Sequence, residues 1–214
     1  MSQKKVLNVG GNNKSIALPP QYTGFEHLLL DIDPTGQPDI CCDARELATL
    51  QPGQFDAIYN SHNLEHYYRH DVEKVLSGFR HVLKEGGFIQ IRVPDMSELF
   101  RRIVEGQLDI EDTLYQSAAG PIMPLDVIYG FQLQIERSGQ EFFAHKTGFT
   151  QKSLMRALQR AGFSKIYSSV GNLEVNAVAF KGQPSDETLA LWGLPPESVA
   201  PVVTAPVAEA EVLA

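Results

Sequence analysis

The sequence predicts an α/β protein built on a mainly parallel sheet, with one antiparallel strand at or near an edge. Three observations carry this. Apolar runs alternate with amphipathic segments, the pattern of strand–helix units that give a parallel sheet. The run Phe55–Asn60 ends abruptly in a polar cluster, Asn60, Ser61, His62, Glu65 and His66. In open α/β sheets ligands sit outside the carboxyl ends of the strands, so that cluster falls where function is expected. Two β-rich runs near the end, KIYSSV and EVNAVAFK, read as a hairpin joined by a turn at Gly171–Asn172.

Taken in order, VLNVG (6–10) and HLLLDI (27–32) read as strands, and Ile40 opens a short third one. FDAIYN (55–60) is the fourth. From Asp71 the residues Val72, Val75, Leu76, Phe79, Val82 and Leu83 recur at helical spacing, with Asp71 as cap and Gly86 as stop. FIQIRVP (88–94) is a strand closed by Pro94. Asp95 and Glu98 form a capping-box pattern for a helix whose apolar face is Met96, Leu99, Phe100 and Ile103. Residues 107–145 are irregular yet apolar, and read as an insertion covering a pocket. TQKSLMRALQRAGF is a helix capped by Thr150 and ended by Gly162.

Composition narrows the possibilities. At 214 residues and 43% hydrophobic content the chain is long enough for one full core. The division expected is a domain over 1–182 and a Pro/Ala/Glu-rich tail over 183–214, mostly disordered, with a helical turn around Leu189–Trp192. The tail holds five acids and no Lys or Arg, which leaves about −3 of the net charge of −8 on the rest. A mildly acidic body argues against nucleic acid as partner. No apolar run reaches membrane-spanning length, and the start lacks the features of a signal peptide, so a cytoplasmic protein is expected. Cys41 and Cys42 are adjacent and poorly placed for a structural disulfide.

The turn after the first strand is Gly10, Gly11, Asn12, Asn13, residues that tolerate left-handed backbone. Asp31 follows about 20 residues later, where an acid can meet ribose hydroxyls. Asp43 follows the next short strand. Pro19 and Pro20 leave room for one helical turn at most, so the long helix that holds a dinucleotide pyrophosphate is not expected. A nucleoside cofactor without phosphates has no such need.

These residues resemble the class I S-adenosylmethionine-dependent methyltransferases over roughly 5–182. VLNVGGN resembles the family's first motif, LLLDIDP its second-strand acid, and CCDAREL its adenine-side acid. FDAIYNSHNLEHY followed by VLKEGGFIQIRVP resembles the fourth motif and the strand after it. The resemblance is strongest to small bacterial members with a shortened first helix and an SHxLEH strand end. It implies a Rossmann-like seven-stranded sheet with the last strand antiparallel and helices on both faces. It further implies S-adenosyl-L-methionine as cofactor, with Asn8, Gly10, Gly11 and Asn12 around its methionine part. Asp31 would take the ribose, Ile32 the adenine face, Asp43 and Ala44 the adenine edge, and Asn60 and Ser61 the sulfonium end. The sequence departs from the family where Asn8 replaces an acid, and where Asn12 and Lys14 stand in place of glycines.

Methyl transfer is an in-line displacement that needs alignment and, for some acceptors, removal of a proton. His62 is the first candidate base and His145 the second, with Tyr129 a candidate substrate contact. The acceptor expected is a small molecule or saccharide-like, methylated on oxygen or nitrogen. The alternative is a degenerate, non-catalytic cofactor-binding domain acting through a protein partner. His62 and His66 are spaced as metal ligands. Glu65 is not placed as in the zinc-protease pattern, however, and no third ligand follows in sequence, so no metal is expected.

Overall fold

A computed structural model describes residues 3–117 and 119–196. One compact unit runs to Pro184, and a second begins at Ser185. The first is a seven-stranded sheet. In chain order its strands are β1 (Lys5–Val9), β2 (Glu26–Asp31), β3 (Ile40–Cys41), β4 (Phe55–Ser61), β5 (Leu83–Pro94), β8 (Lys165–Gly171) and β9 (Glu174–Phe180). In space they lie β3-β2-β1-β4-β5-β9-β8. All neighbours are parallel except β9, which runs antiparallel to both β5 and β8. The expected fold class is the observed one.

The central strands are buried on both faces. Val6, Leu7, Asn8 and Val9 of β1 are all buried, as a strand between two helical layers requires. On one face lie α1 (Arg69–Val82) and α5 (Gln151–Arg160). Val72, Val75, Leu76, Phe79 and Val82 point α1 into a core shared with Leu154, Ala157 and Leu158 of α5. Thr150 caps α5 through a reciprocal pair with Ser153, as read from the sequence. On the other face the β1–β2 crossover holds only a single 3₁₀ turn, Pro20–Tyr22. The Tyr22 ring fills that face against Tyr59 and Phe88, and its hydroxyl donates to Gln90 Oε1 at 3.0 Å.

Several local expectations shift. α1 begins at Arg69, and Asp71, in its first turn, points to Arg45 rather than capping. The helix ends at Val82, not at Gly86, because Leu83 already pairs with Phe55 and the glycines absorb a bulge before Phe88 rejoins at Ala57. In α2 (Met96–Gly106) Asp95 caps by accepting from Ser97 N–H, but Glu98 does not turn back. It pairs instead with Arg101 and Arg102, and those two arginines therefore form no free basic patch. Phe100, expected on the apolar face, is 55% exposed. The hairpin turn is Asn172–Leu173, one residue later than read, with both residues left-handed.

Residues 107–145 contain more structure than their composition suggested: β6 (Tyr115–Ser117) paired with β7 (Gly120–Ile122), α3 (Pro124–Tyr129) and α4 (Gln132–Ser138). They close on a small core of Leu99, Val127 and Leu173. The second unit opens with α6 (Asp186–Ala190), capped by Ser185. The tail beyond 196 lies outside the described residues. No helix among the described residues is long and apolar enough to cross a membrane.

Candidate active site

The strand order reverses between β1 and β4. Val9 pairs with Leu30 on one side and Asn60 on the other, so the carboxyl ends of β1, β2 and β4 lie side by side. Such a switch point opens a crevice for a ligand. A cavity lies there, lined by Gly10, Asn12, Asp31, Ile32, Asp33, Asp43, Arg45, His62, Asn63, His66 and Tyr67, with Phe142, Phe143 and Lys146 from the far side. A second cavity is lined by His62, Pro94, Tyr115, Ile122, Asp126, Val127, Phe131, His145, Leu173 and Glu174. His62 belongs to both walls. Residues of the 107–145 segment contribute to each cavity.

The loops of the first cavity are set by short contacts. Gly10 has φ +73°, and a Cβ there would lie 2.1 Å from the Asn63 side chain. The glycine admits Asn63, whose Oδ1 accepts from Asn60 Nδ2 at 2.9 Å. Asp31 accepts from the backbone N–H groups of Asn12 (2.9 Å) and Asp33 (3.0 Å), one on each oxygen. That ties the first turn to the end of β2 and leaves a lone pair free on each oxygen. Ile32 is 45% exposed at the cavity wall. Asp43 caps the following 3₁₀ turn and pairs with Arg45, whose side chain Nε and Nη2 reach it at 2.9 and 2.6 Å. Burial raises Asp43, but the Arg45 hydrogen bonds outweigh it and hold the acid below its ordinary value.

Of the residues read as cofactor contacts, Gly10, Asn12, Asp31, Ile32 and Asp43 line this cavity, and Asn8, Gly11, Ala44, Asn60 and Ser61 do not. Asn8 is buried, with its amide 3.3 Å from His27 Nε2. Ala44 is buried in the main core. Asn60 is fully buried, donating to Val9 O at 3.2 Å while its Oδ1 has no partner. Tyr129 lines neither cavity and is 56% exposed; its carbonyl accepts from His145 N–H.

His62 directly follows β4 with φ +50°, an uncommon conformation for a residue with a side chain. Its own N–H continues the ladder to Arg92 O at 2.9 Å. The left-handed step swings the ring over the strand end, with Nε2 2.6 Å from Glu174 Oε1 and Nδ1 3.5 Å from Glu65 Oε1. Glu174 is also paired with Arg92. Burial would lower His62, but its bonds to Glu174 and Glu65 carry it up to about 9. His145 is held differently. Its Nδ1 donates to Val127 O at 2.9 Å, because a carbonyl can only accept. That leaves Nε2 bare, 4.0 Å from Glu65 Oε1. Burial is the main cause that lowers its pKa.

Glu65 is the residue that sequence reading underrated. It is 1% exposed. Burial alone would raise its carboxyl, and His62, His66 and His145 around it more than offset this. Asn63, Arg45 and Glu174 were also missed. Only Glu65 carried a signal, as a carboxylate between two histidines of one polar cluster.

Residues 17–91 match the sequence model of a family described as a methyltransferase domain. The match spans β2 to β5 and omits β1 and His145. No curated protein matches the chain. Among solved structures, the fold is similar to a Pyrococcus horikoshii protein (TM-score 0.54, 15% identity, 84% of this chain and 82% of that one). It is also similar to an S-adenosylmethionine-dependent methyltransferase from Archaeoglobus fulgidus (0.55, 16%, 83% and 86%). A third is the Burkholderia thailandensis 1,6-didemethyltoxoflavin-N1-methyltransferase, solved with 1,6-didemethyltoxoflavin and S-adenosylhomocysteine (0.51, 16%, 85% and 72%). The strand order and the strand-end crevice define an open α/β protein with a cavity at its switch point. The matched segment is thus similar to a methyltransferase domain, and the fold is similar to that of these solved structures.

Proposed function

We propose that this protein moves the methyl group of S-adenosylmethionine to a small-molecule acceptor seated in the second cavity. The observation that carries the reading is the pair of cavities meeting at one side chain, His62, above the ends of β1 and β4. The donor belongs in the first. Asp31 keeps a lone pair on each oxygen for ribose hydroxyls, Ile32 offers an uncovered apolar side chain to an adenine face, and Asp43 stands near the adenine edge. S-adenosylmethionine supplies a carbon already activated by positive sulfur. The methyl carbon–sulfur bond breaks as the carbon–acceptor bond forms, and the electron pair stays on sulfur.

The two histidines divide the remaining work. Both nitrogens of His62 face carboxylates, so it has no lone pair for an incoming proton. It orients and shields the junction. His145, with Nδ1 held by Val127, presents a bare Nε2 at the second cavity and belongs to the group that draws the proton from the acceptor. Asp126 spends its oxygens on Met123 and Gln132 N–H, and Glu174 is paired with Arg92 and His62. Both carboxylates that line this cavity thus have their oxygens engaged by the protein, which suits a polar acceptor carrying a hydroxyl or amine, as a saccharide-like molecule does.

Calorimetry with S-adenosylmethionine tests the first half, and binding is the expected result. His145→Ala should leave that affinity within about twofold while lowering turnover on a cognate acceptor by roughly 10²-fold or more. Absence of cofactor binding by the folded chain would sink the reading and favour a non-catalytic domain.

A further inference from the structure

The Glu65 carboxylate is fully buried, and neither of its oxygens has a well-formed hydrogen bond; the ion-pair partner His62 Nδ1 stands off at 3.5 Å from Oε1. Buried carboxylates are normally satisfied by donors, because an unpaired buried charge is costly. Here the neighbours are three imidazoles. One donor atom from each of Glu65, His66 and His145 lies within 4.8 Å of the others. Ligands of a single ion at about 2.0–2.2 Å from it lie up to about 4.4 Å apart, so slight side-chain rotation completes such a set.

The surroundings are those of a ligand set. His145 donates Nδ1–H to a backbone carbonyl, the outer contact that fixes a metal-binding imidazole and raises its basicity. Its bare Nε2 then confronts Glu65 Oε1 at 4.0 Å, lone pair against lone pair, an arrangement that a cation between them relieves. His66 has Nδ1 3.1 Å from Ala144 O and Nε2 3.2 Å from His62 O. A neutral ring can donate to one of these; the other nitrogen is left bare. The backbone locks the halves together, since Lys146 and Thr147 N–H both bond to Glu65 O, at 2.8 and 3.1 Å. Two sequence-distant segments are thus bolted into one donor group.

We propose that Glu65, His66 and His145 bind a divalent first-row transition cation, with His62 at its rim. Two imidazoles and one carboxylate suit manganese to zinc better than magnesium or calcium, which prefer all-oxygen shells. His66 lines the first cavity and His145 the second, so the ion would stand at their junction with coordination positions open to the acceptor. This use rests on the methyltransferase reading. It makes the acceptor an oxygen compound whose hydroxyl coordinates the cation. With His145 Nε2 engaged as a ligand, the O–H proton of the cation-bound hydroxyl passes to water instead of to that nitrogen, and the oxygen then takes the methyl group while the sulfur keeps the electron pair of the broken bond.

The test uses the full chain, stripped with a chelator and titrated with Co²⁺ alone, reading the visible d–d absorption. Wild type should saturate at one equivalent. Glu65→Gln and His145→Ala should each weaken binding at least 10-fold, whereas His70→Ala, an exposed histidine outside the cluster, should titrate as wild type. Thermal melting establishes that each variant is folded. An absent band in folded wild type, or an unchanged one in folded His145→Ala, overturns the site. Calorimetry with S-adenosylhomocysteine on the same samples separates the two ideas. Cofactor binding without cobalt binding refutes the metal site alone. Cobalt binding without cofactor binding upholds the metal site and refutes the methyltransferase reading.

Discussion

Gly10 and Asn63 compete for one space, and that pairing shapes the floor of the first cavity. From sequence, Gly10 reads as a residue that lets a ligand approach the backbone. In the fold it is the Asn63 side chain that approaches. Gly10→Ala should therefore cost about 1–2 kcal/mol for the left-handed backbone, plus a clash with Asn63. Denaturant unfolding of Gly10→Ala, Asn63→Ala and the double variant should be non-additive, with the second substitution recovering the part of the clash made by the Asn63 amide. Strict additivity would show that the two side chains do not share the space. His62 teaches the same lesson. Its identity and its place at a strand end were legible, but its partners were not, because Glu174 is 112 residues away and only the β5–β9 pairing brings it near.

At the scale of elements, the cover depends on another close approach. Gly130 has φ +95°, and a Cβ on it would lie 2.5 Å from Phe143 O. The turn between α3 and α4 thus lies directly against the segment that leads to His145. Gly130→Ala should displace that segment. The expected result is turnover lowered by about 10-fold or more, from a misplacement on the order of 1 Å, with S-adenosylmethionine affinity kept. Equal losses of both would show that the cover and the sheet are not separable. The elements of this cover were hidden in the sequence for a physical reason. β6 and β7 have three residues each and α3 six, too short for a period to register, and they are held by contacts to Leu99 and Leu173 outside the segment. The long amphipathic helices α1 and α5 were legible because their spacing repeats over three turns or nearly so. The end of α1 was not, since a strand partner, Phe55, decides where the helix stops.

For the molecule as a whole, three of the described acids with depressed pKa values, Asp39, Asp43 and Glu98, tie loops and helix surfaces. Burial raises Asp39, but bonds from Lys14 and Leu29 N–H outweigh it; Asp43 is held down by Arg45, and Glu98 falls to about 2 beside Arg101 and Arg102. A folded pKa below the unfolded one contributes stability above the unfolded value, and that contribution disappears as pH falls through the folded value. The melting temperature should thus fall below about pH 4, where unfolded carboxylates take up protons first. Asp39→Asn should shrink that acid-side drop. A melting temperature flat to pH 2.5 would contradict it.

The sequence by itself determined the class of sheet, its reversed last strand, the shortened first crossover and the acids at the strand ends. Each of these is written locally, in the periodicity of apolar residues, in two prolines, or in which residue follows a strand. Only the tertiary structure decided which of those acids face the cavity, that Asn8 turns to His27 instead, and that Glu65 lies buried among histidines from positions 62, 66 and 145. A carboxylate's surroundings come from chain segments far apart in sequence. Which side chains meet around it is settled by packing and strand register, which no local pattern records.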